Sequence, residues 1–223
     1  MNQNKTEIVF ILDRSGSMVT IAADMRGGFD TLIAEQRKVA GECLVTLTQF
    51  DQEYEVVYAG KPIADVPKLA LVPRGQTALL DAIGRTIATT GERLEKMKEK
   101  DRPGRVLVAI ITDGQENASR EYTAGQVAKM IAHQKEAYAW SFLFLGADEN
   151  AIEVAKSYGI GAQAAIQYQT KGGGAGTAMR GVSRAMKSSR VATWSGRAAP
   201  MVYSQEDYDK DLKSPPPSSA RPK

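Results

Sequence analysis

Three short runs of the chain are apolar almost without a break: Ile8–Leu12, Val106–Ile111 and Trp140–Leu145. None shows the in–out alternation of a half-exposed strand. Their branched, aromatic and leucine residues suit strands covered on both faces of a parallel sheet. Leu44–Phe50 alternates better, and the polar pair Asp51-Gln52 separates it from Glu53–Tyr58. This pattern predicts a hairpin that adds one antiparallel edge strand.

Between the runs, apolar residues recur at helical spacing. Ala22, Met25, Phe29, Leu32, Ile33 and Val39 mark a first helix, taken to begin at about Met18. Leu79, Leu80, Ile83, Ile87, Leu94 and Met97 mark a second, and Val127, Met130, Ile131 and Ala137 a third. A fourth, Ala151–Tyr158, has Asp148 as its expected N-cap and stops at Gly159. Gly172–Gly176 reads as a flexible loop, with one more helix over Thr177–Ser188. Strands alternating with helices predict an α/β fold: a doubly wound, mostly parallel sheet with one antiparallel edge strand and helices on both faces. Residues 1–190 are assigned to this domain. Residues 191–213 form an extension whose Val191, Trp194, Met201, Val202 and Tyr203 are available to dock on it, and the Pro/Ser-rich 214–223 reads as a disordered tail.

Composition narrows the field only modestly. The 223 residues are 43% hydrophobic and 25% charged, with a net charge of +3 that argues for no nucleic-acid partner. A single cysteine, Cys43, excludes an intrachain disulfide and fits a reducing compartment. The amino-terminal residues lack the basic and apolar regions of a secretory signal, and no apolar run approaches the roughly 18 residues of a membrane span. The expectation is a soluble, cytoplasmic protein.

In a doubly wound sheet, ligands bind beyond the carboxyl ends of the strands. There the sequence sets Asp13-x-Ser15-x-Ser17 after the first strand and Thr112-Asp113-Gly114 after the Val106 strand, with Arg74-Gly75-Gln76-Thr77 at the entry to the second helix. If these strands are neighbours, Asp13, Ser15, Ser17, Thr77 and Asp113 converge from three loops. Oxygen donors with two carboxylates suit a hard divalent cation, Mg²⁺ first, with Mn²⁺ or Ca²⁺ as alternatives. Hydroxyl ligands leave such an ion electrophilic, so it can accept an external carboxylate. The bland alternatives are helix capping by Asp13, Ser15 and Ser17, and by Thr77 at the second helix. Asp81 reads as a first-turn acid that complements the helix dipole. His133, the only histidine, reads as helix surface and Cys43 as a small buried hydrophobe. Asp148-Glu149 lies on the same rim as the cluster, where it caps a helix or shapes a binding surface.

These segments resemble the von Willebrand factor type A domain over roughly residues 5 to 190. DRSGSM matches that family's Asp-x-Ser-x-Ser, GQTALLDAI its threonine loop, and IITDGQEN the strand that ends in its second Asp. The stretch FLFLGADENA resembles bacterial and phage intracellular members. The resemblance implies a metal ion-dependent adhesion site. Ser15 and Ser17 would bind the metal directly and Thr77 directly or through water according to state, while Asp13 and Asp113 act largely through water. It further implies a protein partner that presents an Asp or Glu. Where family loops often read Gly-Gly-Thr, Gln76 replaces the second glycine, which puts the loop's backbone angles in question. Two other readings stand beside this non-enzymatic one. One is a Mg²⁺-dependent phosphotransferase or phosphohydrolase with Asp13 as nucleophile, served by Arg14 and Arg74 as the nearby cations. The other is a scaffold whose metal site is idle.

Overall fold

The computed structural model describes residues 1–191, 193–194 and 197–213. Six strands form the main sheet: β1 (Asn2–Asp13), β2 (Glu42–Phe50), β3 (Tyr54–Pro62), β4 (Pro103–Thr112), β5 (Ser141–Gly146) and β6 (Ala165–Gln167). Their order is β3-β2-β1-β4-β5-β6, all parallel except for β3, which runs antiparallel to β2 at one edge. The expected α/β architecture is therefore present. The chain reverses its direction of winding between β1 and β4, and that switch point is where such sheets open a crevice.

The lack of alternation in the apolar runs has a direct cause. On β1, Ile8, Phe10 and Leu12 face one core and Val9 and Ile11 the other, and all five are buried. The first core lies beneath α1 (Ala22–Gln36) and α5 (Gly174–Val191), and the second beneath α2 (Leu79–Glu95), α3 (Ala124–Tyr138) and α4 (Ala151–Ser157). Burying each interior β1 side chain contributes on the order of 2 kcal/mol.

Four local expectations need correction. The first α-helix starts at Ala22 rather than near Met18, because Gly16–Thr20 forms a 3₁₀ turn in which the Met18 amide bonds to the Ser15 carbonyl. Val39 lies beyond this helix, in a turn. Asp148 does not sit at the N-cap of α4; Asn150 does, and Asp148 accepts the Asn150 amide at 2.8 Å. The glycine-rich segment is loop only at Gly172 and Gly173, both with positive φ; α5 begins at Gly174. Its small residues are there for close packing: a Cβ on Gly176 would lie 2.6 Å from an Asp24 oxygen.

After α5, residues Thr193–Trp194 pair with Arg197–Ala198 as β7 and β8, and α6 spans Gln205–Lys213. Met201, Tyr203 and Tyr208 are buried in the first core, whereas Val191 and Val202 are exposed. The tail 214–223 lies outside the described residues. Cys43 is buried within β2, and His133 is exposed on α3, edge-on to Tyr138. Among the described residues, no helix is long and apolar enough to cross a membrane.

Candidate metal site

Pairing of β1 with β4 in parallel register sets Leu12 beside Ile111, so both chains leave the sheet at the same end and side by side. Asp13, the last residue of β1, is completely buried. One carboxylate oxygen accepts the Ser15 amide at 2.6 Å and the other the Thr112 hydroxyl at 2.6 Å. Ser15 and Ser17, two residues apart, bring their hydroxyls to 3.1 Å of each other. The Ser17 hydroxyl then donates to Asp113 at 2.6 Å.

Thr77 reaches the same point from the third loop. A Cβ built on Gly114 would lie 3.3 Å from the Thr77 hydroxyl and 3.4 Å from the Ser17 hydroxyl. The glycine thus leaves a small cradle ringed by oxygen. Thr77 does not cap α2: that position is Ala78, with no side-chain cap. All five predicted residues therefore come together. Thr112, which fixes Asp13 from the neighbouring strand, was not singled out from the sequence, although it directly precedes Asp113 there.

The electrostatics are unbalanced. Burial pushes Asp13 up to about 6, against the lowering effect of its hydrogen bonds from Thr112 and Ser15, and neighbouring Asp113 raises it further. Burial also raises Asp113, although the Ser17 hydroxyl opposes the shift. Arg14, next in sequence to Asp13, does not compensate. It turns away to Asp51 at 3.2 Å and to Glu55. Arg74 is likewise held, by Asp51 at 2.7 Å and by Glu53 at 2.6 Å.

A ring of bonds among the loops fixes these positions. The Arg74 amide donates to the Arg14 carbonyl at 2.7 Å, and the Gly16 amide to Gly75 at 3.1 Å. The Thr77 amide donates to the Asn117 side chain at 2.9 Å, and the Thr77 carbonyl accepts the Asn117 amide at 3.0 Å. Buried Asp51, which the sequence marked only as a hairpin turn, joins the first two loops through both arginines. The question over Gln76 is answered by Gly75. Only Gly75 has positive φ, +69°, so Gln76 has no need to be glycine, and its amide bonds to Gln52 at 2.9 Å.

Among the described residues, no three His, Cys, Asp or Glu side chains cluster as a metal-binding group. The set here has two carboxylates and three hydroxyls. Such donors fit a hard, partly hydrated cation and not a zinc site built from nitrogen and sulfur. The uncompensated pair Asp13 and Asp113, and the oxygen-ringed cradle at Gly114, are what a divalent ion would complete.

No family model and no curated protein matches the chain. Similar solved structures include proximal thread matrix protein 1 from the mussel byssus, with a zinc-occupied MIDAS motif. It is 18% identical, with a TM-score of 0.47, over 64% of this chain and 35% of that one. The ArnB paralog VWA2 from Sulfolobus acidocaldarius is 16% identical, with a TM-score of 0.42, over 69% and 37%. A von Willebrand factor type A protein from Catenulispora acidiphila is 19% identical, with a TM-score of 0.45, over 69% and 36%. The chain thus spans about a third of the length of these proteins. Likeness this loose assigns neither function nor site. What the chain's own residues define is a doubly wound α/β protein with an oxygen-rich cluster at the switch point of its sheet.

Proposed function

We propose that the protein is a divalent-metal-dependent binding module of the von Willebrand factor type A kind, which docks an acidic side chain of a protein partner. One observation carries this reading: five oxygen-bearing side chains from three loops meet beside Gly114 with two desolvated carboxylates, while Arg14 and Arg74 are paired with other carboxylates. Ser15, Ser17 and Thr77 would hold Mg²⁺ or Mn²⁺ with Asp13 and Asp113, and Ca²⁺ is the larger alternative. Both oxygens of Asp13 already accept protein hydrogen bonds, which favours an outer role for it. The ion supplies one chemical property, affinity for an external carboxylate. Exposed Ser17 leaves the cluster open to solvent on that side.

A phosphotransfer reading requires a cation to stabilise developing charge. Arg14 and Arg74, the two cations beside the cluster in the sequence, are committed to Asp51, Glu53 and Glu55, which counts against that reading. The single buried cysteine suits a reducing compartment, which supports reading this module as cytoplasmic, of bacterial or phage type.

The test is a Mg²⁺ and Mn²⁺ titration followed by thermal denaturation. An ion that binds only the folded form at a hundred times its Kd adds about 2.7 kcal/mol of stability. Wild type should gain stability as the ion is added, and Asp13→Ala should not. A flat wild-type response overturns the metal reading. Capture of a partner that EDTA abolishes would then establish the docking step.

A further inference from the structure

Beside the cluster, a cavity of about 290 Å³ opens between the loop after β4 and helix α4. Thr112 and Gly114 line it, so it adjoins the proposed metal directly. Its floor is apolar: Leu79, Phe144 and Tyr158 are buried there, and the Phe144 and Tyr158 rings meet edge to face at 6.1 Å. Glu116 and Asp148 also line it, and no Lys, Arg or His is among the lining residues. Glu116 accepts the Leu80, Ala118 and Ser119 amides and the Ser119 hydroxyl, and Asp148 the Gln115 side chain and the Asn150 amide. Tyr158 is only 4% exposed and lines the cavity.

We infer that this cavity receives a long cationic side chain, lysine or arginine, from the same partner that presents its acid to the metal; the inference rests on that docking reading. Three features select this chemistry. Apolar walls suit an aliphatic stem, while the negative charge of two lining carboxylates, though both already accept protein hydrogen bonds, attracts a positive head. The Tyr158 hydroxyl, on a residue that lines the cavity, is a third feature, an oxygen that can accept from an N–H group. The volume, close to the lower end of the range for small-molecule sites, has room for one long side chain. The partner therefore carries an acid and a base close together in its sequence.

The first measurement needs neither the partner nor the metal. Amide and methyl NMR spectra of the full chain are followed as n-butylguanidinium is added, and separately n-pentanol, each in EDTA and again in Mg²⁺. The expected result is saturable shifts at Val154 and Ala151, with the guanidinium binding at least tenfold more tightly than the alcohol in both conditions. Asp148→Asn should weaken the guanidinium at least threefold, and Val154→Phe should abolish it by filling the cavity. Equal or better binding of the alcohol, or shifts that map elsewhere, overturns the inference, and this wild-type comparison decides even if a variant fails to fold. A second arm uses peptides in Mg²⁺ with Asp and Arg zero to three residues apart, against the same peptides with citrulline for Arg. At least one spacing should favour Arg fivefold or more; no preference at any spacing counts against the shared partner. A flat Mg²⁺ melting response alongside positive guanidinium binding would indict the metal reading and spare the cavity.

Discussion

Asp13 shows how one residue couples the site to stability. Its folded pKa, about 6, lies above the ordinary value of 3.8 because the carboxyl is buried. The folded state therefore holds the proton more tightly than the unfolded chain. The stability this contributes is fully present below about pH 4 and is lost as pH rises through about 6. A shift of about two units corresponds to roughly 3 kcal/mol. Asp13→Asn should accordingly be more stable than wild type at pH 7 in EDTA, by about 1–3 kcal/mol after loss of one good hydrogen bond. Urea denaturation across pH 4 to 7 checks this: the advantage should shrink towards pH 4, and at pH 7 added Mg²⁺ should narrow it by stabilising wild type alone. Gly75 illustrates a purely steric constraint. At φ +69°, with a Gln52 oxygen 1.9 Å from where a Cβ would stand, Gly75→Ala should lose about 1–3 kcal/mol in the same assay, whereas Gln76→Gly should lose less than half as much.

At the scale of elements, the loop after β4 is held to the start of α2 by carboxylates. Asp81 accepts the amides of Arg120, Glu121 and Tyr122 at 2.8 to 2.9 Å. Partial burial raises its pKa, but these three amides, with Arg85, outweigh it, and the net shift is downward. Its stabilisation is therefore present above pH 3.8 and lost as pH falls through the lowered folded value. Glu116 accepts the amides of Leu80, Ala118 and Ser119 and the Ser119 hydroxyl. Asp81→Ala should cost about 2–4 kcal/mol by leaving three amides short of partners, and it should also weaken Mg²⁺ binding, because Asn117 in that loop holds Thr77. Melting curves with and without Mg²⁺ measure both effects. The sequence reading had Asp81 as a dipole partner of its own helix, and its larger role was hidden because its three donors lie 39 to 41 residues away. The five site residues were legible for the opposite reason: each sits at a fixed offset from an apolar run or a helix start. Register and spacing are local; bracing between loops is not.

The whole molecule explains what remained illegible. The β1 and β4 runs announced a two-faced core, and Met201 and Tyr203 read as able to dock on it, but helix α6 gave little warning that it helps complete one of those faces. Helix α6 reads as QEDYDKDLK, polar except for Tyr208 and Leu212, yet Tyr208 is fully buried and its hydroxyl accepts the Gln169 amide at 2.8 Å. The segment is held along its length: the Met201 amide bonds to the Ser141 hydroxyl at 2.7 Å, the Tyr203 amide to the Gln163 carbonyl at 2.9 Å, and Gln205 pairs with the backbone of Gln167. Gly181 has no Cβ because the Tyr203 ring occupies that space. This packing reaches the end of the sheet that carries the oxygen cluster through Tyr168, whose buried hydroxyl donates to the Thr112 carbonyl at 3.2 Å, one residue from Asp113. A chain ending at Pro200 would expose the places of Met201, Tyr203 and Tyr208, each worth about 1.5–3 kcal/mol of burial. The sum, roughly 5–9 kcal/mol, rivals the whole stability of a typical domain, about 5–15 kcal/mol. The truncated chain should therefore fail to give a cooperative melt above 25 °C, or melt far below the full chain. Tyr208→Phe keeps the ring and loses the bonds to the Gln169 amide and the Gly174 carbonyl, so it should cost about 1–2 kcal/mol and leave Mg²⁺ binding intact. A truncated chain that melted like the full one would mean that these contacts hold the segment to the domain without holding the domain together.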